Sequence, residues 1–242
     1  MIKAELTPNH IGIAVSGDFH DFEQLYEAIH ELIPDEGSED IDYHYPNLRA
    51  LGFCYDLRHA MMGHRDIFLV DHGMSEETLR YHEIVTSPRN LYLSFPTLVP
   101  EMLFVLMVLR HYTNSPRERP SRTMLDYHSA VAIVNHFDNA VMQCFRQVLT
   151  ERKFINTSRS IQAGSHVLAR YLTLYLDKIN LDYFELEQDE RTDKISIYAK
   201  RLGERGRDYE KIEREIREAA KQHGVRPEQI RYTQSFPDII EW

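Results

Sequence analysis

The stretch HIGIAVSGDFHDFEQLYEAIHELIP, residues 10–34, decides the fold because a strand pattern passes directly into a helix pattern. In residues 11–15, branched apolar residues alternate with small ones, which is the period-two signature of a strand with one buried face. In residues 22–33, apolar residues recur every three or four positions, as on the buried face of a helix. The stretch therefore predicts a strand followed by an amphipathic helix, with Asp18 or Asp21 as the capping residue.

The alternation of strand and helix continues downstream. Residues 47–62 have the periodicity of a second helix, and Ile67–Val70, an unbroken apolar run between two aspartates, predicts a short central strand. Residues 91–95 predict a further strand, and a strongly apolar helix begins near Pro100. We therefore expect residues 1–113 to form a small mixed sheet packed by helices.

A connector rich in Pro and Ser, residues 114–122, separates this part from a helical region at residues 123–242. Apolar spacing predicts helices over residues 124–150 and 157–178, and the short link between them predicts an antiparallel hairpin. Residues 195–202 have the spacing of a helix, although a strand also fits them. The expected fold class is α+β and predominantly helical, with a small mixed sheet in the N-terminal part and a long antiparallel helical hairpin in the C-terminal part, as two regions or one compact unit.

Two further signals lie near the C-terminus. Tyr209, Ile212 and Ile216 mark the apolar face of another helix, which Gly224 is expected to end. Residues 236–242 contain the only tryptophan together with several other apolar residues. Such apolar density predicts that this segment docks onto the protein.

The composition limits the classes of partner. The 242 residues carry 38 Asp and Glu against 28 Lys and Arg, so the average surface repels nucleic acids and anionic membranes. The longest apolar run, Met102–Leu109, is far shorter than the ~20 residues of a membrane span, which predicts a buried helix or, alternatively, a subunit interface. Cys54 and Cys144 lack metal-ligand spacing, and the N-terminus lacks signal-peptide and transit-peptide patterns. We therefore expect a cytoplasmic protein with reduced cysteines and no membrane contact.

Four segments carry a family resemblance. They are TPN at residues 7–9, IGIAVSGD at residues 11–18, LYEAIH at residues 25–30 and LGFCYDLRHA at residues 51–60. Over residues 1–110 the chain resembles an uncharacterised bacterial protein family of unknown function. The resemblance implies no activity, cofactor or catalytic residue.

Histidines and aspartates concentrate between the second predicted helix and the strand that follows it. Asp56 and His59 lie one helical turn apart, and Asp71 and His72 follow the predicted strand, so the four side chains are a candidate metal site of a metal-dependent hydrolase. Zinc, manganese or iron would suit imidazole and carboxylate ligands. The competing interpretation is a set of ordinary polar side chains, because His59 and His64 are five residues apart and do not share a helix face.

Arg159 and His166, seven residues apart on a predicted helix, resemble the Arg–His motif of the helical ribonucleases of the HEPN superfamily. The resemblance implies RNA cleavage without metal, usually by a dimer, with Arg159 steadying the scissile phosphate and His166 transferring a proton. Five Arg–His pairs at comparable spacing occur in the chain, so the pattern alone distinguishes little. The alternative is that His166 is a partly buried histidine with a hydrogen-bonding neighbour.

The remaining signals favour binding over catalysis. Arg110, Arg117, Arg119 and Arg122 form a local basic group around the connector, which is either an exposed loop or a grip for a phosphate or an acidic partner. No phosphate-binding loop, nucleophile elbow or paired cysteine motif occurs in the sequence. The leading hypothesis is a binding or assembly protein without a cofactor, which forms a homo-oligomer through the run Leu103–Leu109 and the long C-terminal helices or binds another protein. RNA is a partner only under the ribonuclease alternative.

Overall fold

The computed structural model describes residues 1–34, 41–114, 128–166, 168–169, 171–232, 237 and 239–242. Within these residues the chain forms nine α-helices, four β-strands and one short 3₁₀-helix. The fold class is α+β and mostly helical, as predicted. Among the described residues, no helix combines the length and the apolar character that a membrane crossing requires.

The sheet lies in the N-terminal part. Its strands are β1 (Lys3–Leu6), β2 (Gly12–Gly17), β3 (Asp66–Asp71) and β4 (Arg89–Leu98). They pair in the order β1-β2-β4-β3, and every pair is antiparallel. The expectation of a mixed sheet is therefore wrong, because β4 enters between β2 and β3 and runs opposite to both. The sequence did not predict β1.

The helices surround the sheet on one face and extend into the C-terminal part. Two of them follow strands directly, and one short helix lies between β3 and β4. The bounds are α1 Phe19–Leu32, α2 Ile41–Met61, α3 Glu76–Tyr81, α4 Val99–Asn114, α5 Ser129–Val148, α6 Glu151–Gly164, α7 Leu172–Phe184, α8 Gln188–Glu204 and α9 Arg207–His223, with a 3₁₀-helix at Pro227–Gln229.

The strand and helix at the start of the chain form as predicted. Ile13 and Val15 of β2 are fully buried. Asp18 caps α1 by accepting a 2.9 Å hydrogen bond from the Asp21 backbone N–H, and the Asp21 carboxylate accepts a 3.0 Å bond from the Asp18 N–H. This reciprocal capping box satisfies two amide groups that a helix start leaves open, so the two alternatives for the cap act together.

The apolar helix is the centre of the molecule. Every residue of Val99–Leu109 except Glu101 is buried. Helix α4 contacts the sheet and helices of both halves, and one cluster of buried apolar residues runs from Ile2 to Ile216. The prediction that this run forms a buried helix is confirmed. The run is not an exposed subunit interface, because other parts of the same chain cover it.

The prediction of a second long helix in the hairpin is wrong. Residues 157–178 are divided between α6 and α7, because α6 ends at Gly164. A Cβ on Gly164 would lie 2.5 Å from the Met107 sulfur, so the end of α6 packs closely against the Met107 side chain of α4. The Ser165 carbonyl then accepts a 2.8 Å hydrogen bond from His111 Nδ1, which occupies a backbone acceptor that helix continuation would use.

Helix α6 packs mainly against α8 rather than against α5. At the closest point, a Cβ on Gly203 would lie only 2.3 Å from the Ser160 carbonyl oxygen, so the two backbones nearly touch. Residues 195–202 lie within α8, which confirms the helix rather than the strand interpretation.

The predicted strand Ile67–Val70 exists but has the wrong position. It is not a central strand: β3 is the last strand of the sheet and pairs only with β4 among the described residues. Ile67 and Leu69 are 52% and 57% exposed. An unbroken apolar run indicated burial on both faces, and the chain itself does not supply that burial.

The loop between β1 and β2 is fastened by helices far away in the sequence. Tyr183 Oη donates to the His10 carbonyl at 2.9 Å, and Arg191 Nη1 donates to the Asn9 carbonyl at 2.6 Å. His10 has a positive φ of 56°, an uncommon conformation for a non-glycine residue. The C-terminal segment also docks here, because Trp242 packs directly over Gly12.

The division into residues 1–113 and 123–242 stays a prediction. Most of the connector, residues 115–122, lies outside the described residues.

Candidate functional site

The first two proposed metal ligands engage other partners. The Asp56 carboxylate accepts a 2.7 Å hydrogen bond from Arg65. His59 Nδ1 lies 3.3 Å from His64 Nδ1, and its ring lies over Tyr55 with centroids 4.0 Å apart. Both aspartate and histidine therefore belong to polar contacts at the C-terminal end of α2.

The other two proposed ligands lie at the end of β3. The Asp71 carboxylate is 3.2 Å from Arg89 Nε, in the opposite strand position. His72 Nδ1 accepts a 2.9 Å hydrogen bond from the Met74 backbone N–H. Within the described part of the chain, no three His, Cys, Asp or Glu side chains come together in a group that could hold a metal ion. The structure does not bring the predicted set together.

The ribonuclease candidates lie on the outer face of α6 and just beyond its end. Arg159 and His166 are both exposed, and His166 Nε2 lies 3.3 Å from Gln162 Nε2. Of the basic group, Arg117, Arg119 and Arg122 lie outside the described residues.

Arg110, the remaining member of the basic group, has a structural partner. Its guanidinium donates two hydrogen bonds to the Asp138 carboxylate, at 3.0 and 2.9 Å, and joins α4 to α5. Such bidentate geometry is the strongest form of an Arg–carboxylate pair.

A partly buried charge network that the sequence did not reveal connects α2, α4 and α7. Arg49 donates to both Glu101 oxygens, at 2.6 and 2.9 Å, and its Nη2 lies 2.9 Å from an Asp177 oxygen. Asn180 donates a further 2.9 Å hydrogen bond to Glu101. These partners are far apart along the chain, so spacing in the sequence gives no signal for them.

Burial and charge oppose each other in this network. Burial raises the pKa of Asp177, and the Arg49 guanidinium only partly offsets that rise. Burial alone would lower the pKa of Arg49, but hydrogen bonds and charge from Glu101 and Asp177 outweigh it and raise that pKa. Arg49 therefore remains a cation that holds two carboxylates together.

A cleft of about 260 Å³ opens beside the network. Its lining combines aromatic, apolar and charged side chains from α2, α7 and the 3₁₀-helix: Tyr45, Leu48, Arg49, Tyr171, Thr173, Leu174, Asp177, Glu228 and Arg231. Among these residues there is no Cys, Ser or His that would act as a nucleophile or proton carrier near neutral pH. Arg49 and Asp177, which both line the cleft, already form an ion pair with each other.

The most exposed apolar surface lies elsewhere, on the segment of residues 64–91, which we call the arm. It contains β3, α3 and the first residues of β4, and none of its side chains is buried. Its exposed large apolar side chains are Ile67, Phe68, Leu69, Met74, Tyr81, Ile84, Val85 and Leu91. Exposed apolar side chains concentrated in one segment in this way are typical of interaction sites.

The two edges of the sheet differ sharply. Strand β1 is four residues long, carries Lys3 and Glu5, and is covered by α5. Strand β3 is longer, and its centre has only apolar residues, with Asp66 and Asp71 at its two ends. Natural proteins protect edge strands with charge, shortness or a covering element. The centre of β3 has none of these protections in the described structure.

The pairing with β4 determines which backbone groups of β3 are open. His72 N–H donates to the Pro88 carbonyl at 3.1 Å, in the same register as the ladder. Antiparallel ladders alternate between residues that bond to the neighbour and residues that do not. Even-numbered residues of β3 therefore bond to β4, and Ile67, Leu69 and Asp71 direct their N–H and C=O groups outward.

No curated protein and no solved structure matches this chain. The predicted resemblance to an uncharacterised family is confirmed, and it extends well beyond residues 1–110, because a family model matches residues 2–242. The chain therefore belongs to the family described as a domain of unknown function, DUF6904.

Proposed function

We propose that this protein is a binding or assembly protein whose working surface is the outer edge of β3. The observation that carries the proposal is an apolar edge strand with outward backbone groups at Ile67 and Leu69, flanked by exposed apolar side chains of the arm. A strand of another polypeptide would bond to these backbone groups and cover the apolar side chains at the same time.

The apolar surface available for assembly is not the one that the sequence predicted. The run Leu103–Leu109 is used within the chain, so it does not supply an interface. The run Ile67–Val70 has the composition of a buried strand and remains exposed. Its burial by another polypeptide would remove apolar surface from water, the main favourable contribution in protein association.

The proposed place of action is the cytoplasm. The two cysteines are free and buried, at Cys54 and Cys144, which agrees with a reducing compartment. The net charge of −10 disfavours nucleic acid or an anionic membrane as the partner.

Affinity capture from an extract of the source organism tests the proposal. The immobilised wild-type chain is compared with Leu69→Lys, which places a charge on the outer edge, and with Val85→Lys, which makes the same change on the arm away from that edge. We expect wild type and Val85→Lys to retain a specific protein, either another copy of this chain or a different polypeptide, and Leu69→Lys to lose it.

Both substituted positions are exposed, so neither change removes a buried contact. Circular dichroism spectra of the three proteins should be the same, because neither substitution changes the fold of the chain. Retention that is the same for Leu69→Lys and wild type would show that the outer edge of β3 is not the binding surface.

A further inference from the structure

This inference rests on the proposed function. If the β3 edge binds another polypeptide, the sequence and backbone of β3 indicate which polypeptide that is. A second copy offers the same apolar sequence and the same outward backbone groups. A two-fold axis would pair the strands antiparallel, and each copy would present one identical surface to the other. The question is whether any register of such a pair satisfies both backbone and side chains.

The positions of the outward backbone groups exclude half of the possible registers between the two strands. Within β3, Ile67, Leu69 and Asp71 direct their backbone groups outward, so hydrogen-bonded positions must join two odd-numbered residues. A register that places Asp66 opposite the partner's Asp71 is therefore excluded, together with its like-charge contact. The three registers that remain near the strand centre place Ile67, Phe68 or Leu69 on the axis.

Charge separates these three registers. With Phe68 on the axis, Ile67 faces Leu69 of the other copy, and Arg65 faces Asp71, so two ion pairs form by symmetry. With Leu69 on the axis, Asp71 faces the apolar Ile67. With Ile67 on the axis, Arg65 faces the apolar Leu69. Among the odd-numbered positions, only the Phe68 register pairs apolar with apolar residues and cation with anion; at the even-numbered positions it places Phe68 against its mate and Asp66 opposite Val70.

The existing salt bridges extend this pattern. Arg65 already contacts Asp56 at 2.7 Å, and Asp71 contacts Arg89 at 3.2 Å. In the Phe68 register, the Asp56–Arg65 pair of one copy lies beside the Asp71–Arg89 pair of the other copy. Negative and positive charges therefore alternate across each end of the interface. The exposed side chain of Phe68 would lie against its symmetry mate on the opposite face of the sheet.

We propose that two copies of this chain pair antiparallel along β3 about an axis at Phe68, so that the two four-stranded sheets join into one eight-stranded sheet. The contact excludes water from the apolar centre of both edge strands. It also pairs Arg65 of each copy with Asp71 of the other.

Cysteine cross-linking tests the register. Phe68→Cys places two thiols at a facing position that is not hydrogen-bonded, where Cα atoms lie ~4.5 Å apart, within disulfide range. The matched control Leu69→Cys places its thiols ~8 Å apart in the same register, beyond that range. Cys54 and Cys144 are buried and remain in every variant. Under oxidised glutathione we expect covalent dimer from Phe68→Cys and none from Leu69→Cys.

A charge-exchange series tests the ion pairs. In sedimentation equilibrium, Arg65→Asp or Asp71→Arg alone should weaken dimerisation about tenfold, and the double exchange should restore most of it. Arg80→Asp, on the exposed side of α3, should leave the dissociation constant unchanged. Equal weakening by the double exchange and by its parts would contradict the pairing of Arg65 with Asp71.

Light scattering separates failure of this inference from failure of the proposed function. Wild type and Val85→Lys should have twice the 28.6 kDa mass of one chain, and Leu69→Lys should have that mass once. A wild-type monomer at all concentrations, or cross-linking by Leu69→Cys instead of Phe68→Cys, overturns the inference. If capture still depends on Leu69 in that case, the proposed function stands with a different partner; if capture is independent of Leu69, both are wrong.

Discussion

At the scale of single residues, Arg49 is the side chain with the largest expected effect. It joins three helices through Glu101 and Asp177, and its side chain is 33% exposed. Arg49→Ala leaves two partly buried carboxylates without their cation, so urea unfolding should show a loss of about 2 kcal/mol, below the range for fully buried pairs. The control Arg80→Ala removes an exposed pair with Glu76 and should change stability by less than ~0.5 kcal/mol.

The Arg49→Ala deficit should depend on pH. Burial raises the pKa of Asp177 above its unfolded value, and loss of the nearby cation raises it further. The folded state then binds the proton more tightly than the unfolded state between the two pKa values, so stability falls as pH rises through that window. Unfolding curves should show a smaller deficit near pH 4 than at pH 8. A constant deficit would mean that packing, not charge, causes the loss.

The two cysteines provide a second prediction at this scale. Burial raises the pKa of Cys54 to about 12 and that of Cys144 to about 11. Because the thiolate is the reactive form, neither should react with a maleimide at pH 7.5 in the folded protein, and both should react in guanidinium chloride. Mass spectrometry counts the labels. Rapid labelling of the folded protein would show local opening around α2 or α5.

Local residue roles could be predicted from the sequence when the partner was near in the chain. Asp18 was identified as a cap and Gly224 as a helix end, since both effects act within a few residues. Arg49, Glu101 and Asp177 were not identified, because a single sequence contains no signal for contacts between distant positions.

At the scale of elements, the contact between α6 and α8 depends on one glycine. A Cβ on Gly203 would lie 2.3 Å from the Ser160 carbonyl oxygen, so Gly203→Ala must separate the helices and should cost about 1–3 kcal/mol in urea unfolding. The matched control is Gly52→Ala in α2, where a Cβ meets nothing within 4 Å. That change should be neutral or stabilise by up to ~1 kcal/mol, because alanine favours the helix. Equal effects at the two sites would show that the close approach has no energetic role.

Apolar periodicity predicted most helices and strands, but it did not predict which elements pack against one another. The helices α1, α5 and α9 followed from apolar spacing, and so did the strand character of β3. The break between α6 and α7 escaped prediction because the contacts at this point, Gly164 with Met107 and Ser165 with His111, join positions far apart in the sequence. The position of β3 escaped for a similar reason, since an apolar run has the same pattern whether its own chain or another polypeptide covers it.

At the scale of the whole molecule, the C-terminal segment closes over the start of β2. Trp242 packs on Gly12, and the Glu241 carbonyl accepts a 3.2 Å hydrogen bond from Asn9. Trp242→Ala should cost about 2 kcal/mol, less than for a fully buried tryptophan because the side chain is only partly buried. Ile239→Ala, at a highly exposed position, should be nearly neutral in the same thermal melt. If the two variants melt alike, the docking of Trp242 contributes little.

The fold class and the resemblance to a family of unknown function were both derivable from the sequence, whereas the surface proposed for function was not. Composition and periodicity report how much of the chain is buried and in which elements. They do not report which apolar element the folded chain leaves uncovered, because that depends on how the helices cover the sheet.

The loop between β1 and β2 is held by residues that are synthesised much later than the loop itself. Ribosomes deliver residues 8–10 early, but Tyr183 and Arg191, which fasten that loop, arrive some 180 positions later. Until then the loop depends on local hydrogen bonds, among them the one from the His10 N–H to the Thr7 carbonyl at 2.8 Å. The turn itself can therefore close from contacts within residues 7–12, whereas its attachment to α7 and α8 requires the last third of the chain.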